Sequence, residues 1–305
     1  LSRSKINKTA LVTGATGFVG SNVTKRLVEN GWRVHVILRP QSKLTLLDNL
    51  KNNVTFHYHD GSAENMLGIL KSIKPDIVFH LASLFLAHHQ TKHIEEMIKS
   101  NITFGTQLVD AMTAIGSSCM INTGTSWQHF QNKKYNPVCL YAATKQAFES
   151  ILTFYTQTTL LKVITLKLFD TFGPNDPRPK LFTLLRKTAN ENNTLAMSPG
   201  EQLIDLVYID DVVDAFMKAA ERFQKGKSNQ WEEYAVSSGN PIPLKEIVSI
   251  YGSVTGKRLS INWGERLYRH NEVMIPWNKG KCLPGWETKI SLEEGIKRME
   301  LGSED

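Results

Sequence analysis

Through its first half the chain alternates short apolar runs with stretches whose apolar positions repeat at helical spacing. Apolar runs without a polar face suit strands buried on both sides, and helices between them cover both faces of a parallel sheet. The pattern predicts strands over 9–13, 33–38, 54–58, 77–81, 119–122 and 163–168. It predicts a helix over 18–30, closed by Asn30-Gly31, since glycine accepts the left-handed conformation that ends a helix. Longer helices are predicted over 94–115 and 140–158. Beyond Gly173-Pro174 the character changes. Asn175-Asp176-Pro177-Arg178-Pro179 reads as a loop, then come a helix over 181–191, a strand at 206–208 and a helix over 210–223 capped by Asp210. A polar loop at 224–230 precedes a helix over 243–256, and Ser291-Leu292-Glu293-Glu294 opens the last helix with a capping-box pattern.

The run Ala10-Leu11-Val12 leads directly into Thr13-Gly14-Ala15-Thr16-Gly17-Phe18-Val19-Gly20. A strand, a glycine turn and a helix start in that order make a place for a dinucleotide pyrophosphate. Gly14 permits the turn, Gly17 lets backbone approach phosphate, and Gly20 lets the helix pack closely on the sheet. Free N–H groups at the helix start face the negative charge, so Gly14, Thr16, Gly17, Phe18 and Val19 are the candidate cradle. Downstream, Tyr141-Ala142-Ala143-Thr144-Lys145 sets a phenol and an ammonium one helical turn apart. Reducing a carbonyl needs a hydride on carbon and a proton on the developing alkoxide. Tyr141 suits the second task if a neighbouring cation, Lys145, draws its pKa of about 10 downward. Together the two motifs point to hydride transfer. The fold class they imply is α/β, a Rossmann-type doubly wound parallel sheet. Residues 1–174, rejoined by 205–240, form the dinucleotide-binding core, and 175–204 with 241–305 form a smaller interleaved substrate lobe.

Composition narrows the function classes. With 305 residues, 41% of them hydrophobic, the chain can fill one large α/β core or one core with a smaller appended lobe, and no apolar run approaches the roughly 18–20 residues of a membrane span. The net charge of +7 suits anionic small molecules. Its basic residues are scattered rather than interleaved with aromatics, which argues against nucleic acid. The basic start Leu1-Ser2-Arg3-Ser4-Lys5 runs into a strand and so does not read as a secretory signal. Three cysteines without metal spacing (Cys119, Cys139 and Cys282) fit a reduced, cytoplasmic setting. His88, His89 and His93 cluster after the fourth strand but lack the further ligands a metal needs, so no metal is expected.

The glycine turn and the Tyr141/Lys145 pair, with His80-Leu81-Ala82, Asn101, Phe172-Gly173-Pro174, Tyr208-Ile209-Asp210-Asp211-Val212 and Gly285-Trp286, resemble the extended short-chain dehydrogenase/reductase family. The likeness is to its nucleotide-sugar epimerase, dehydratase and reductase branch, and it runs over nearly the whole chain. The resemblance implies that Asp60 and Gly61 lie near the adenine, that Leu81 and Ala82 lie near the adjacent ribose, and that Ser83 and Asn101 serve the same cofactor. It puts Thr123 at the catalytic Ser/Thr position, with Thr125 as its substitute and a substrate contact. NAD-binding relatives carry a carboxylate at the end of the second strand, whereas this chain has Leu38-Arg39-Pro40-Gln41-Ser42. Arg39, helped by Ser42 or Lys43, suits a 2′-phosphate, so NADP(H) is expected, with NAD(H) the second choice.

Reaction type follows from departures. Dehydratases of the family carry Asp-Glu after the catalytic threonine, and fucose-synthase-type epimerase/reductases carry a cysteine where Thr125 stands; here the residues are Gly124 and Thr125. What remains is simple ketone reduction or a 4-epimerisation that oxidises and re-reduces one carbon. The expected NADP(H) site favours reduction of a nucleotide-linked 4-keto-6-deoxy or 3,6-dideoxy hexose, with the likeness strongest to the CDP-abequose/CDP-paratose synthase type. This implies deoxysugar biosynthesis of the O-antigen kind. Alternatives are an NAD-dependent nucleotide-sugar 4-epimerase and a non-enzymatic cofactor-sensing or RNA-binding protein. Candidate substrate contacts implied by the resemblance are Trp127, Asp170, Arg178 and Arg269. The family likeness also implies a homodimer through the helices near 94–115 and 140–158, with no membrane partner.

Overall fold

The computed structural model describes residues 8–302, so the basic segment at 1–5 lies outside the described residues. Seven parallel strands form the main sheet: β1 (Thr9–Thr13), β2 (Arg33–Leu38), β3 (Val54–Tyr58), β4 (Ile77–His80), β5 (Cys119–Thr125), β6 (Lys162–Leu168) and β7 (Trp231–Val236). Their order is β7-β6-β5-β4-β1-β2-β3, so the chain reverses direction of travel between β1 and β4. In such sheets the crevice beyond the carboxyl ends of the two diverging strands is where ligands bind. The register aligns Thr13 with His80 and His80 with Asn122, which brings the ends of β1, β4 and β5 to one rim.

Helices α1 (Phe18–Glu29), α2 (Ala63–Ile73), α3 (Ile94–Ile98), α4 (Phe104–Ala114), α5 (Leu140–Thr158), α6 (Leu181–Glu191), α7 (Ile209–Gln224), α8 (Leu244–Thr255) and α9 (Leu292–Leu301) complete the fold. The core has two layers. Val23 and Leu27 of α1 meet Val212, Phe216 and Ala219 of α7 on one face, while Met66, Leu70, Leu108, Met112, Phe148 and Leu152 from α2, α4 and α5 fill the other. The double covering explains the strands' apolar runs.

Several boundaries differ from the sequence expectation. The predicted helix over 94–115 contains a π-helical stretch, Lys99–Thr103, which turns the buried Asn101 toward the rim of the sheet. Asp210 is not the cap of its helix. Tyr208 occupies that position, and Asp210 and Asp211 sit in the first turn, where carboxylates favour the helix dipole. The Asp211 carboxylate accepts the Lys289 and Ile290 N–H groups, and its carbonyl accepts Trp286 Nε1–H at 2.8 Å, so the Gly285-Trp286 motif clamps the C-terminal segment to α7. Helix α2, capped by the Ser62 hydroxyl on Asn65 N–H, and strand β7 were not predicted. Three short pairings lie outside the main sheet: Asp170–Phe172 with Leu206–Tyr208, Thr194–Met197 with Ser260–Trp263, and Leu203–Ile204 with Ile242–Pro243.

Candidate active site

The glycine turn is built by contact as much as by conformation. Gly14 has φ +73°, and a Cβ there would lie 2.5 Å from Ala82 N and 2.6 Å from Leu81 C. Gly20 packs on the Gly14 carbonyl at the exit of β1, so a side chain there would push α1 off the turn. Leu81 N–H donates to Thr13 O and Ala82 N–H to Thr13 Oγ1, which fixes the β4 exit against β1. Gly17 is the exposed N-cap of α1; no side chain caps it and no acid stands in the first turn. An uncapped, acid-free helix start beside a turn opened by Gly14 and Gly17 fits an anionic pyrophosphate. Thr16 and Val19 are half-buried beside it and Phe18 is buried.

Tyr141, Lys145 and Thr123 come from α5 and β5. Lys145 is 3% exposed, with Nζ 6.0 Å from the Tyr141 ring centroid. Tyr141 packs edge-on against Phe85, whose ring also meets Trp127, which in turn lies 5.3 Å beneath the Arg269 guanidinium. Phe85, 44% exposed in this aromatic row, was not singled out from sequence, where it looked like part of an aperiodic apolar run after β4. Burial pushes the Tyr141 phenol above its ordinary value, assisted by Cys139, while the Ser83 hydroxyl and Arg178 oppose it. The expected lowering is therefore absent from the protein's own electrostatics: burial outweighs the neighbouring charges. Lys145 is itself pushed down to about 8, first by burial. His80, fully enclosed and pushed down to about 3 by burial and by Lys145, stays neutral, with Nδ1 2.9 Å from Thr13 Oγ1.

Thr123 Oγ1 donates to His80 O at 2.9 Å, and Thr125 Oγ1 accepts Trp127 N–H. The two side chains share a strand face and are equally buried, but Thr125 also caps the turn at 126–128. Cys139 is the N-cap of α5 and burial raises its thiol, which keeps it unreactive. Asn101 Oδ1 accepts Leu84 N–H and Ser83 Oγ–H, and its Nδ2 donates to Leu84 O and Thr144 Oγ1. Where a cofactor contact was expected, the structure shows an amide engaged on all sides within the protein, pinning the 83–84 loop to α5.

At the outer rim, Arg39 is exposed, with its N–H donated to Ser42 Oγ and its guanidinium 4.0 Å from Glu96. Asp60 accepts the Ser62 N–H and hydroxyl, and Gly61 O accepts from Gln107. A cavity of about 580 Å³ is bordered by Phe85, the ring against Tyr141, and by Trp127, Asp170, Gly173, Lys180, Arg186 and Arg269. Its cations are already partnered: Lys180 with Asp170 at 3.0 Å, Arg186 with Glu300, and Arg269 with both oxygens of Glu272. Arg178 does not line the cavity. It grips Asp176 and stacks 4.8 Å over the Phe18 ring, joining the 174–180 loop to the start of α1. His88 and His89 are exposed, and no group of three or more His, Cys, Asp or Glu among the described residues could hold a metal ion. No helix among them is long and apolar enough to cross a membrane.

Comparison with known proteins adds a family. Residues 10–236 match the model of the NAD dependent epimerase/dehydratase family. The chain is 26% identical to CDP-abequose synthase of Salmonella muenchen over 297 residues, covering 96% of this chain and 97% of that protein. It superposes with a TM-score of 0.83 on UDP-glucose 4-epimerase from Thermotoga maritima with UDP-glucose, at 25% identity, covering 95% and 97% of the two chains. UDP-glucuronic acid 4-epimerase from Bacillus cereus, in complex with UDP-glucuronic acid and NAD, gives 0.81 at 24% identity over 95% of this chain and 97% of that one.

Proposed function

Because the chain belongs to the NAD dependent epimerase/dehydratase family, we propose that it is an NADPH-dependent reductase of a nucleotide-linked 4-keto-6-deoxyhexose. The observation that carries this reading is the segment leaving β4, which packs on Gly14 at Leu81–Ala82 and on Tyr141 at Phe85, a residue that also borders the cavity, with Lys145 buried beside the Tyr141 ring. The cradle residues from Gly14 to Val19 would hold the pyrophosphate, and Arg39 with Ser42 the 2′-phosphate; when bound, the dinucleotide supplies the hydride for the carbonyl carbon. Tyr141 gives its proton to the carbonyl oxygen, and its raised pKa keeps that proton in place across neutral pH. Lys145 supports the developing charge on the phenol oxygen. Thr123 holds the carbonyl oxygen once its hydroxyl turns from His80 O. Glycine at 124 and threonine at 125 leave no carboxylate pair for eliminating water.

The side-by-side variants Thr123→Val and Thr125→Val test this division. Thr123→Val is expected to lower turnover by about 10²-fold with cofactor affinity unchanged, and a larger loss in Thr125→Val would move the role two residues along. Cofactor choice is tested at Arg39, because a charge-assisted fork to a 2′-phosphate has no counterpart in NADH. Arg39→Ala is expected to raise KM for NADPH about tenfold and leave that for NADH unchanged, whereas a wild-type preference for NADH would overturn the assignment.

The second reading, a 4-epimerase working on tightly held NAD, is favoured by the epimerases among the structural neighbours. Incubation with NADPH and a panel of CDP-, dTDP-, GDP- and UDP-linked 4-ketosugars, with products identified, separates the two. Stoichiometric loss of NADPH supports the reductase. Exchange of C4 epimers without loss supports the epimerase.

A further inference from the structure

We infer that Glu149 is a positioning residue for the proposed chemistry: a buried carboxylate one helical turn beyond Lys145 that sets the charge around that lysine and, through its salt bridge to Lys167, braces the strand that carries Thr123. The inference rests on the role proposed above for Lys145. Tyr141, Lys145 and Glu149 follow one another at intervals of four along α5, so they share a helix face. Lys145 and Glu149 are each 3% exposed, and Lys167, in β6, is wholly enclosed. Lys167 Nζ lies 2.8 Å from Glu149 Oε2 and 3.2 Å from Glu233 Oε2 on the neighbouring strand β7. Two lysines and two glutamates thus run from the catalytic helix to the half-buried Glu233, and their charges cancel.

The same pair is the seat of the catalytic strand. A Cβ at Gly124 would come within 2.7 Å of Lys167 Cδ and 2.9 Å of Glu149 Oε1, so only glycine lets β5 lie on it. Gln128 continues the brace, accepting Thr125 N–H at 3.0 Å and donating to Gln146 of α5 at 2.9 Å.

The electrostatics agree with this geometry. Burial lowers Lys145 most, Glu149 raises it and Lys167 lowers it, so the charge of Glu149 opposes the other two. His80 on β4 and His129 after β5 also face the cluster. Both are held below the ordinary histidine value, chiefly by burial, and contribute no positive charge at neutral pH. Burial lifts Glu149 itself, against the pull of Lys167.

The test follows the lysine side chains directly, by a pH titration of ¹³Cε-labelled lysine in the free protein, with the Lys145 signal identified by its loss in Lys145→Met. Glu149→Gln is expected to lower the Lys145 midpoint by about one pH unit or more, the usual effect of removing an adjacent opposite charge. Glu149→Gln also leaves Lys167 short of a partner, so the same comparison is made in Lys167→Met. There the added Glu149→Gln removes the other half of the wholly buried pair, the kind of paired replacement that proteins tolerate, with the half-buried Glu233 left toward solvent, and it again lowers the midpoint. A Lys145 midpoint that Glu149→Gln leaves unmoved in either background overturns the inference, whatever happens to stability. The titration needs neither sugar nor dinucleotide, so failure of the ketoreductase reading shows up separately, as absence of turnover in the wild-type protein.

Discussion

Replacing Tyr141 by phenylalanine is expected to lower turnover by about 10³-fold, within the range of a positioned proton donor, while dinucleotide affinity stays within about twofold. The replacement keeps the ring that packs against Phe85 at 4.9 Å between centroids and removes only the phenol oxygen. Steady-state kinetics beside a fluorescence titration of NADPH separate the two effects, and an equal loss of binding would show that the ring had moved. The pH profile carries a signed companion. Burial keeps the phenol protonated through neutrality, whereas Lys145 gives up its proton as pH rises through about 8. Reduction should therefore be flat below that value and fall above it; activity rising through the same interval would contradict the donor assignment.

Gly14→Ala is expected to cost dinucleotide affinity more than 100-fold and roughly 2–4 kcal/mol of stability, combining a non-glycine residue at positive φ with backbone overlap. The overlap has no soft side. The new Cβ would meet Ala82 N and Leu81 C, main-chain atoms at the exit of β4 that are hydrogen-bonded back to Thr13. Relief requires parting β1 from β4 at the point where the sheet divides. Thermal unfolding and cofactor titration of the variant read both consequences, and native affinity would show that the turn does not form the cradle.

The strands and the long helices were legible because each buries on both faces or along one stripe, and those periodicities survive in sequence alone. Strand β7 carries no such signal. Trp231-Glu232-Glu233-Tyr234 looks polar, and its glutamates are accommodated only because Arg222 pairs with Glu232 and Lys167 with Glu233. For the same reason the buried ion cluster was invisible: Lys167 sits between Leu166 and Leu168 as a lone charge, and its partners lie 18 and 66 positions away. The π-helical turn at Lys99–Thr103 leaves no propensity signal, since its purpose is the aim of the Asn101 side chain. At the substrate end, resemblance named Arg178 and Arg269. It did not foresee that Asp176 and Glu272 already hold them, because local ion pairs are set by loop geometry that no periodicity encodes.

The central claim is hydride delivery to a sugar carbonyl beside Tyr141. The most direct measurement is to supply NADPH deuterated at the transferring position together with a nucleotide-linked 4-keto-6-deoxyhexose, and to locate the label in the product by NMR and mass spectrometry. The account predicts one deuterium at C4 for each cofactor consumed; unlabelled product, or epimers interconverting while the NADPH remains intact, would contradict it.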